Sequence, residues 1–146
     1  MSFEFLEDIN TKKPYRFQTF IAKLRDKREE KRCRRQRAKK GYADCDVWEM
    51  RNWFVKTVGA MLLEFSEKTH NHPDKVEFEE WRNILLRMSE LLTSMDIWDD
   101  TAIKNKLDIE KSDSSEEALN RISEERYRAK EEFFTLFNEW FYDLWY

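Results

Sequence analysis

Apolar residues fall along the chain in blocks whose spacing is helical. From Pro14 a helix can start, with Phe17, Phe20, Ile21 and Leu24 at helical intervals before large apolar side chains vanish over residues 25–40. Gly41 breaks that run, and Asp46 with Glu49 has the spacing of a capping box opening a second helix over about 46–68. Val47, Met50, Phe54, Val58, Met61 and Phe65 make one stripe on it, and Trp48, Val55 and Leu62 a second beside it. This wide apolar arc predicts the most buried helix of the molecule. Thr69 to Asp74 reads as a turn, and Asp74 with Glu77 as a capping box before a third helix. There Phe78, Trp81, Leu85, Met88, Leu92 and Met95 alternate at three and four, the seam of a bundle. Residues 96–115 predict a loop around at most one short helical turn. Ser114 with Glu117 is expected to cap the last helix, whose seam is Leu119, Ile122, Ala129, Phe133, Leu136 or Phe137, Trp140 and Leu144, interrupted by Arg126. Ahead of everything, Phe3, Phe5, Leu6 and Ile9 suggest a short packing arm. The expected fold is all-α: one domain over 1–146, a compact bundle of about four helices, with 1–40 a basic arm and helix and 41–146 an aromatic-rich core.

Composition narrows the functions open to such a bundle. Two glycines and two prolines in 146 residues leave few hairpin turns. Because Gly41 and Gly59 stand alone, neither a P-loop nor a dinucleotide-binding fingerprint can be written. The two cysteines, Cys33 and Cys45, are too few for a disulfide framework, and with no secretory signal ahead of them the expected setting is a reducing cytoplasm. No run approaches the ~20 apolar residues of a membrane span, so no membrane partner is expected.

The net charge of -3 hides a division. Residues 12–40 hold 14 Lys and Arg against Asp26, Glu29 and Glu30, a net +11; the remainder carries -14. Local fields of this size act on partners over about one Debye length.

Four pieces of the sequence together resemble a known family. They are the run Gly41-Tyr42-Ala43-Asp44-Cys45-Asp46-Val47-Trp48 behind a basic lead-in, the His72-Pro73 turn, Trp81 with Ile84, Leu85, Arg87 and Met88, and the tail Glu132-Phe133-Phe134 through Phe137, Trp140, Phe141, Leu144 and Trp145. In this order they resemble a family of small uncharacterised proteins of phages and integrated mobile elements of Gram-positive bacteria. The likeness spans 34–146, while residues 1–33 and the short turn at His70 depart from the pattern. It implies a mobile-element accessory protein acting in the bacterial cytoplasm.

The candidate chemistry begins with the basic segment. Lys23, Arg25, Lys27, Arg28, Lys31, Arg32, Arg34, Arg35, Arg37, Lys39 and Lys40 put 11 cations into 18 residues. They can contact phosphate, since guanidinium groups bond it bidentately and released counterions add affinity; equally, they can pair with the chain's own acids. Aromatic interleaving, the mark of a single-strand platform, is missing between Leu24 and Gly41. Next comes Asp44-x-Asp46-x-Trp48. On a structural reading Asp46 caps a helix, Asp44 pairs with Arg34 or Arg35, and Trp48 is core. On a functional one Tyr42 and Trp48 stack on a base, Asp44 accepts from an exocyclic amine, and Arg34, Arg35 and Arg37 hold phosphate.

Other chemistries find less support. Asp44 and Asp46 are too few hard ligands for a metal site, Glu67-x-x-His70 lacks the second motif of a di-iron bundle, and Cys33, Cys45, His70 and His72 lack finger-like spacing. No nucleophile is marked by a base, so the chain reads as a non-enzyme with neither metal nor cofactor. The tail from Phe133 to Tyr146 is too apolar for one helix face, which makes Phe134, Phe137, Trp140, Phe141 and Trp145 candidates for a homo-oligomer interface. These readings converge on a non-catalytic phage or prophage binding protein that counteracts host defence by sequestering a nucleotide signal or a host defence protein. The alternatives are a nucleic-acid-binding accessory protein using the 23–40 helix, and an inhibitor acting by protein contact alone.

Overall fold

The computed structural model describes residues 15–145, with side chains from residue 22 onward, so the suggested arm at Phe3 to Ile9 lies outside the described residues. The faces of Phe17, Phe20 and Ile21 lie outside them too. The chain is all-α, as expected, with four long helices: α1 (Tyr15–Lys40), α3 (Met50–Lys68), α4 (Phe78–Met95) and α6 (Glu116–Trp140). Two short ones, α2 (Asp44–Trp48) and α5 (Thr101–Lys106), and a 3-10 turn at Phe141–Asp143 complete it. No described helix is long and apolar enough to cross a membrane. The chain divides after Trp48 into two units, and Gly41 to Trp48 therefore go with α1.

In the second unit α4 is the central element, packed on α3 along one side and α6 along the other. Its 3–4 seam explains why: Trp81, Leu85, Met88, Leu91 and Leu92 are buried, and they meet Val55 and Leu62 of α3 and Ala129, Phe133 and Trp140 of α6. The Trp81 and Trp140 rings lie 5.4 Å apart at that junction. At Gly59 α3 meets α4 at ordinary packing distance, with Leu92 Cβ 3.6 Å from the position a Cβ would take, and Ser89 Oγ donates to the Gly59 carbonyl at 2.9 Å. Arg87 clamps α4 to α6 through two 2.7 Å bonds to Glu132.

By contrast, the α3 and α6 backbones do not approach each other among the described residues. Rings bridge that side: Phe54 lies 6.0 Å from Phe133 and 6.3 Å from both Phe134 and Phe137. Beyond them Met50 and Met61 of α3, Tyr127 and Phe134 of α6, and Phe141 of the 3-10 turn remain exposed. This open side corrects the expectation that the 46–68 helix is the most buried. Val47, Trp48, Met50 and Met61 of its stripes face solvent, and α4 is the enclosed helix.

Three boundaries also differ from expectation. The 46–68 helix is two, because Glu49 (φ -114°, ψ 39°) leaves helical geometry between α2 and α3. Asp74 and Glu77 do not cap α4, whose N-cap Glu77 makes no side-chain capping bond. Ser115, not Ser114, caps α6 by accepting from the Ala118 N–H at 3.2 Å. The 96–115 segment carries α5 and packs Ile103 and Ile109 against Ala118 and Ile122 of α6, a second small core. Arg126, the break in the α6 seam, ties this segment down through the Asp96 carbonyl (2.8 Å) and the Asp100 carboxylate (2.5 Å).

Candidate functional site

The first unit is a helical hairpin stitched by two carboxylates. α1 ends where Gly41, at φ +83°, donates its N–H to the Arg37 carbonyl at 2.9 Å, a left-handed stop that suits glycine. The chain then turns through Tyr42 and the fully buried Ala43 into α2. Ala43 has no side chain to cap α2, so Asp46, three residues on, reaches back and accepts the Ala43 N–H at 2.7 Å. The same carboxylate takes a two-bond clamp from Arg37, Nε to Oδ2 at 2.9 Å and Nη2 to Oδ1 at 2.7 Å. The Arg37 guanidinium thus holds the Asp46 carboxyl down from 3.8 to about 2, and the Arg37 pKa is raised in turn. Asp44 is engaged as well: its Oδ1 accepts from Lys40 at 2.8 Å and its Oδ2 from Gln36 at 2.6 Å, while Gln36 Oε1 accepts the Asp44 N–H at 2.9 Å. Lys40 and then Gln36 lower the Asp44 pKa. Between these bonds the Cys33 and Cys45 sulfurs meet at 2.9 Å.

Each structural alternative from the sequence is changed by this geometry. Asp46 stabilises the start of α2 from inside it, not as the cap of a 46–68 helix. Asp44 pairs with Lys40 and Gln36, not with Arg34 or Arg35. Trp48 is no core residue but 88% exposed at the end of α2. Tyr42 is half exposed, with Lys40 Nζ 4.7 Å from its ring centre.

Along α1 the cations divide by face. Arg34 pairs with Glu30 at 3.2 Å, Arg37 with Asp46 and Lys40 with Asp44. The other eight have no ion pair among the described residues, and all eight are exposed. At about 100° per residue, Arg25, Arg28, Arg32, Arg35 and Lys39 fall within an arc of about 80° and run about 21 Å along the axis. Asp26, Glu29 and Glu30 lie outside that arc, on the side from which Cys33, Gln36, Arg37 and Lys40 meet α2. The stripe is therefore purely cationic. The spacing was in the sequence all along, but its acid-free face emerges only once the helix is continuous from Tyr15 to Lys40 and the partners on its other side are known.

Of the ligand-binding candidates, then, Arg35, Tyr42 and Trp48 present free surface; Arg34 is exposed in an ion pair, and Arg37, Asp44 and Asp46 hold the hairpin. Gln36 and the approach of Cys33 to Cys45 were not foreseen, because bonds across eight to twelve residues depend on how the chain turns at Gly41.

The five tail aromatics separate too. Trp140 (6% exposed) and Phe137 belong to the core of the second unit, whereas Phe134, Phe141 and Trp145 are exposed. A cavity of about 250 Å³ lies there against Trp81, lined by Asn71, His72, Pro73, Asp143 and Trp145. No family model, curated protein or solved structure matches the chain.

Proposed function

We propose that this is a non-catalytic accessory protein that binds the phosphate backbone of nucleic acid along α1, with Tyr42, just past the end of the track, as a stacking surface. The observation that carries this reading is the acid-free stripe of Arg25, Arg28, Arg32, Arg35 and Lys39, exposed and without ion pairs among the described residues. Cations held in a row exchange condensed counterions for phosphate contacts, which gives affinity with little regard to sequence. The exposed Tyr42 ring, just past the last cations of α1, favours unpaired bases over duplex. The resemblance to phage and mobile-element proteins supports reading such binding as that of a phage or prophage protein that acts in the cytoplasm of a host cell and counteracts its defence. Anisotropy titrations with single-stranded and duplex oligonucleotides over a salt series test it. Binding should weaken with salt at a log–log slope of about -3.5 to -4.5, as five contacts at roughly 0.7 to 0.9 each require, and replacing Arg25, Arg28, Arg32 and Arg35 with Gln should flatten it to about -1. Absence of a complex at low salt, or an unchanged slope in that variant, overturns the reading.

The nucleotide-sequestering reading keeps one favourable observation, the exposure of Tyr42 and Trp48. Here the rings would stack on a single base and Arg35 would take its phosphate, since both carboxylates are already hydrogen-bonded within the hairpin. A thermal shift with cyclic or ADP-ribose-type nucleotides that is lost in Trp48→Ala supports it; a flat response across the panel rejects it.

Self-association belongs to this proposal as well, across the open α3–α6 side and not through the whole tail. Met50, Met61, Tyr127, Phe134 and Phe141 leave several hundred Å² of apolar surface there, against about 800 Å² per partner in a stable interface.

A further inference from the structure

The geometry points to a redox modification site: the Cys33 and Cys45 thiols, facing each other across the α1–α2 hairpin, close to an intrachain disulfide by exchange with a low-molecular-weight disulfide such as oxidised glutathione. Three observations carry it. The sulfurs already lie 2.9 Å apart. The hairpin holds them there, with the Arg37–Asp46 clamp and the Gln36–Asp44 and Lys40–Asp44 bonds tying the same two helices. The thiols also differ in access, Cys45 exposed and Cys33 buried, which assigns their roles. Cys45, as thiolate, attacks one sulfur of the small disulfide, forming a mixed disulfide and expelling one thiolate that takes up the proton Cys45 lost. Cys33 then loses its proton and attacks the Cys45 sulfur, and the bond to the small thiol breaks, releasing the second equivalent as thiol. Two protein thiols and one small disulfide become one protein disulfide and two small thiols, with no further oxidant.

Local charge sets the pace. Arg37 Nη2 stands 3.8 Å from Cys45 Sγ and favours its thiolate, but the hydrogen bond with Cys33, followed by partial desolvation, pushes the Cys45 thiol up from its ordinary value. Exchange should therefore quicken as the solution is made alkaline. With Cys33 and Cys45 the only cysteines of the chain, the competing products are a retained small-thiol adduct and a disulfide between two chains.

The test is to treat the reduced full-length protein with oxidised glutathione, alkylate the remaining thiols and map the products by mass spectrometry. The expected product is a monomer lighter by about 2 Da, with no retained glutathione and a Cys33–Cys45 cross-linked peptide, reversed by dithiothreitol. Cys33→Ser should stop at a stable glutathione adduct on Cys45, since its resolving thiol is gone. A wild-type protein that keeps the adduct as this variant does, that joins chain to chain at dilute concentration, or that alkylates fully at both thiols overturns the proposal. None of these readouts involves nucleic acid, so this site and the function of the α1 stripe stand or fall separately.

Discussion

At the scale of single residues, Asp46 shows how much of the hairpin rests on one carboxylate. It accepts the Ala43 N–H and both bonds of the Arg37 fork, so Asp46→Asn should cost about 2 kcal/mol locally, read as faster amide exchange at Ala43. The pH dependence has a definite sign. With the folded pKa lowered from 3.8 to about 2, the contribution is complete above about pH 4 and is lost as pH falls through about 2. Protection of the Ala43 amide should follow that curve, and protection independent of pH over this range would break the link to Asp46. The glycines give opposite expectations. Gly59 is helical with its nearest neighbour at ordinary contact distance, so Gly59→Ala should raise stability by about 0.5–1 kcal/mol in thermal melts. Gly41, at φ +83°, should lose about 1 kcal/mol on the same change despite open space around it. Sequence alone pointed to a break at Gly41, which needs only local chemistry. It could not say whether Asp44 and Asp46 would face a ligand or Arg37 and Lys40, because that choice depends on the course of the chain after the break.

At the scale of elements, α4 and α3 show when periodicity can be trusted. The strict seam of α4 predicted four of its buried residues, Trp81, Leu85, Met88 and Leu92, because both flanks are covered along its middle, while Phe78 and Met95 at the seam's ends are only half-buried. In α3 the same logic failed. An apolar arc records which side chains tolerate burial, and here part of it runs past Phe54 onto Met50 and Met61 at the open side. Helix ends were legible only to within a residue or a cap: Ser114 and Ser115 are chemically alike, and only the bond to Ala118 distinguishes them. Leu85→Ala should accordingly cost about 3–5 kcal/mol in chemical denaturation, while Met61→Ala should fall within about 0.5 kcal/mol of wild type. A large loss at Met61 would mean that the open side is covered in solution.

For the whole molecule, the charge division along the chain, +11 over residues 12–40 against -14 elsewhere, was plain from the sequence, and the structure adds that the cations inside the first unit are arranged by face. The open α3–α6 side belongs to this scale too. Phe134→Asp should shift sedimentation of a self-associating protein toward monomer without lowering its helicity, since Phe134 is 47% exposed; an unchanged distribution would place the contact elsewhere. The tryptophans carry a further consequence. Trp48 is the sole indole of the first 48 residues and stands in solvent, whereas Trp81 and Trp140 are buried 5.4 Å apart in the second unit. Trp98 and Trp145 are exposed too, so the protein carries three solvent-quenchable indoles, of which Trp48 alone lies in the first unit, and a closely coupled chromophore pair whose circular dichroism couplet follows α4–α6 packing. A base stacking on Trp48 should dim only that indole's share of the emission, a change lost in Trp48→Phe, and leave the couplet intact, and melting of the second unit should erase the couplet.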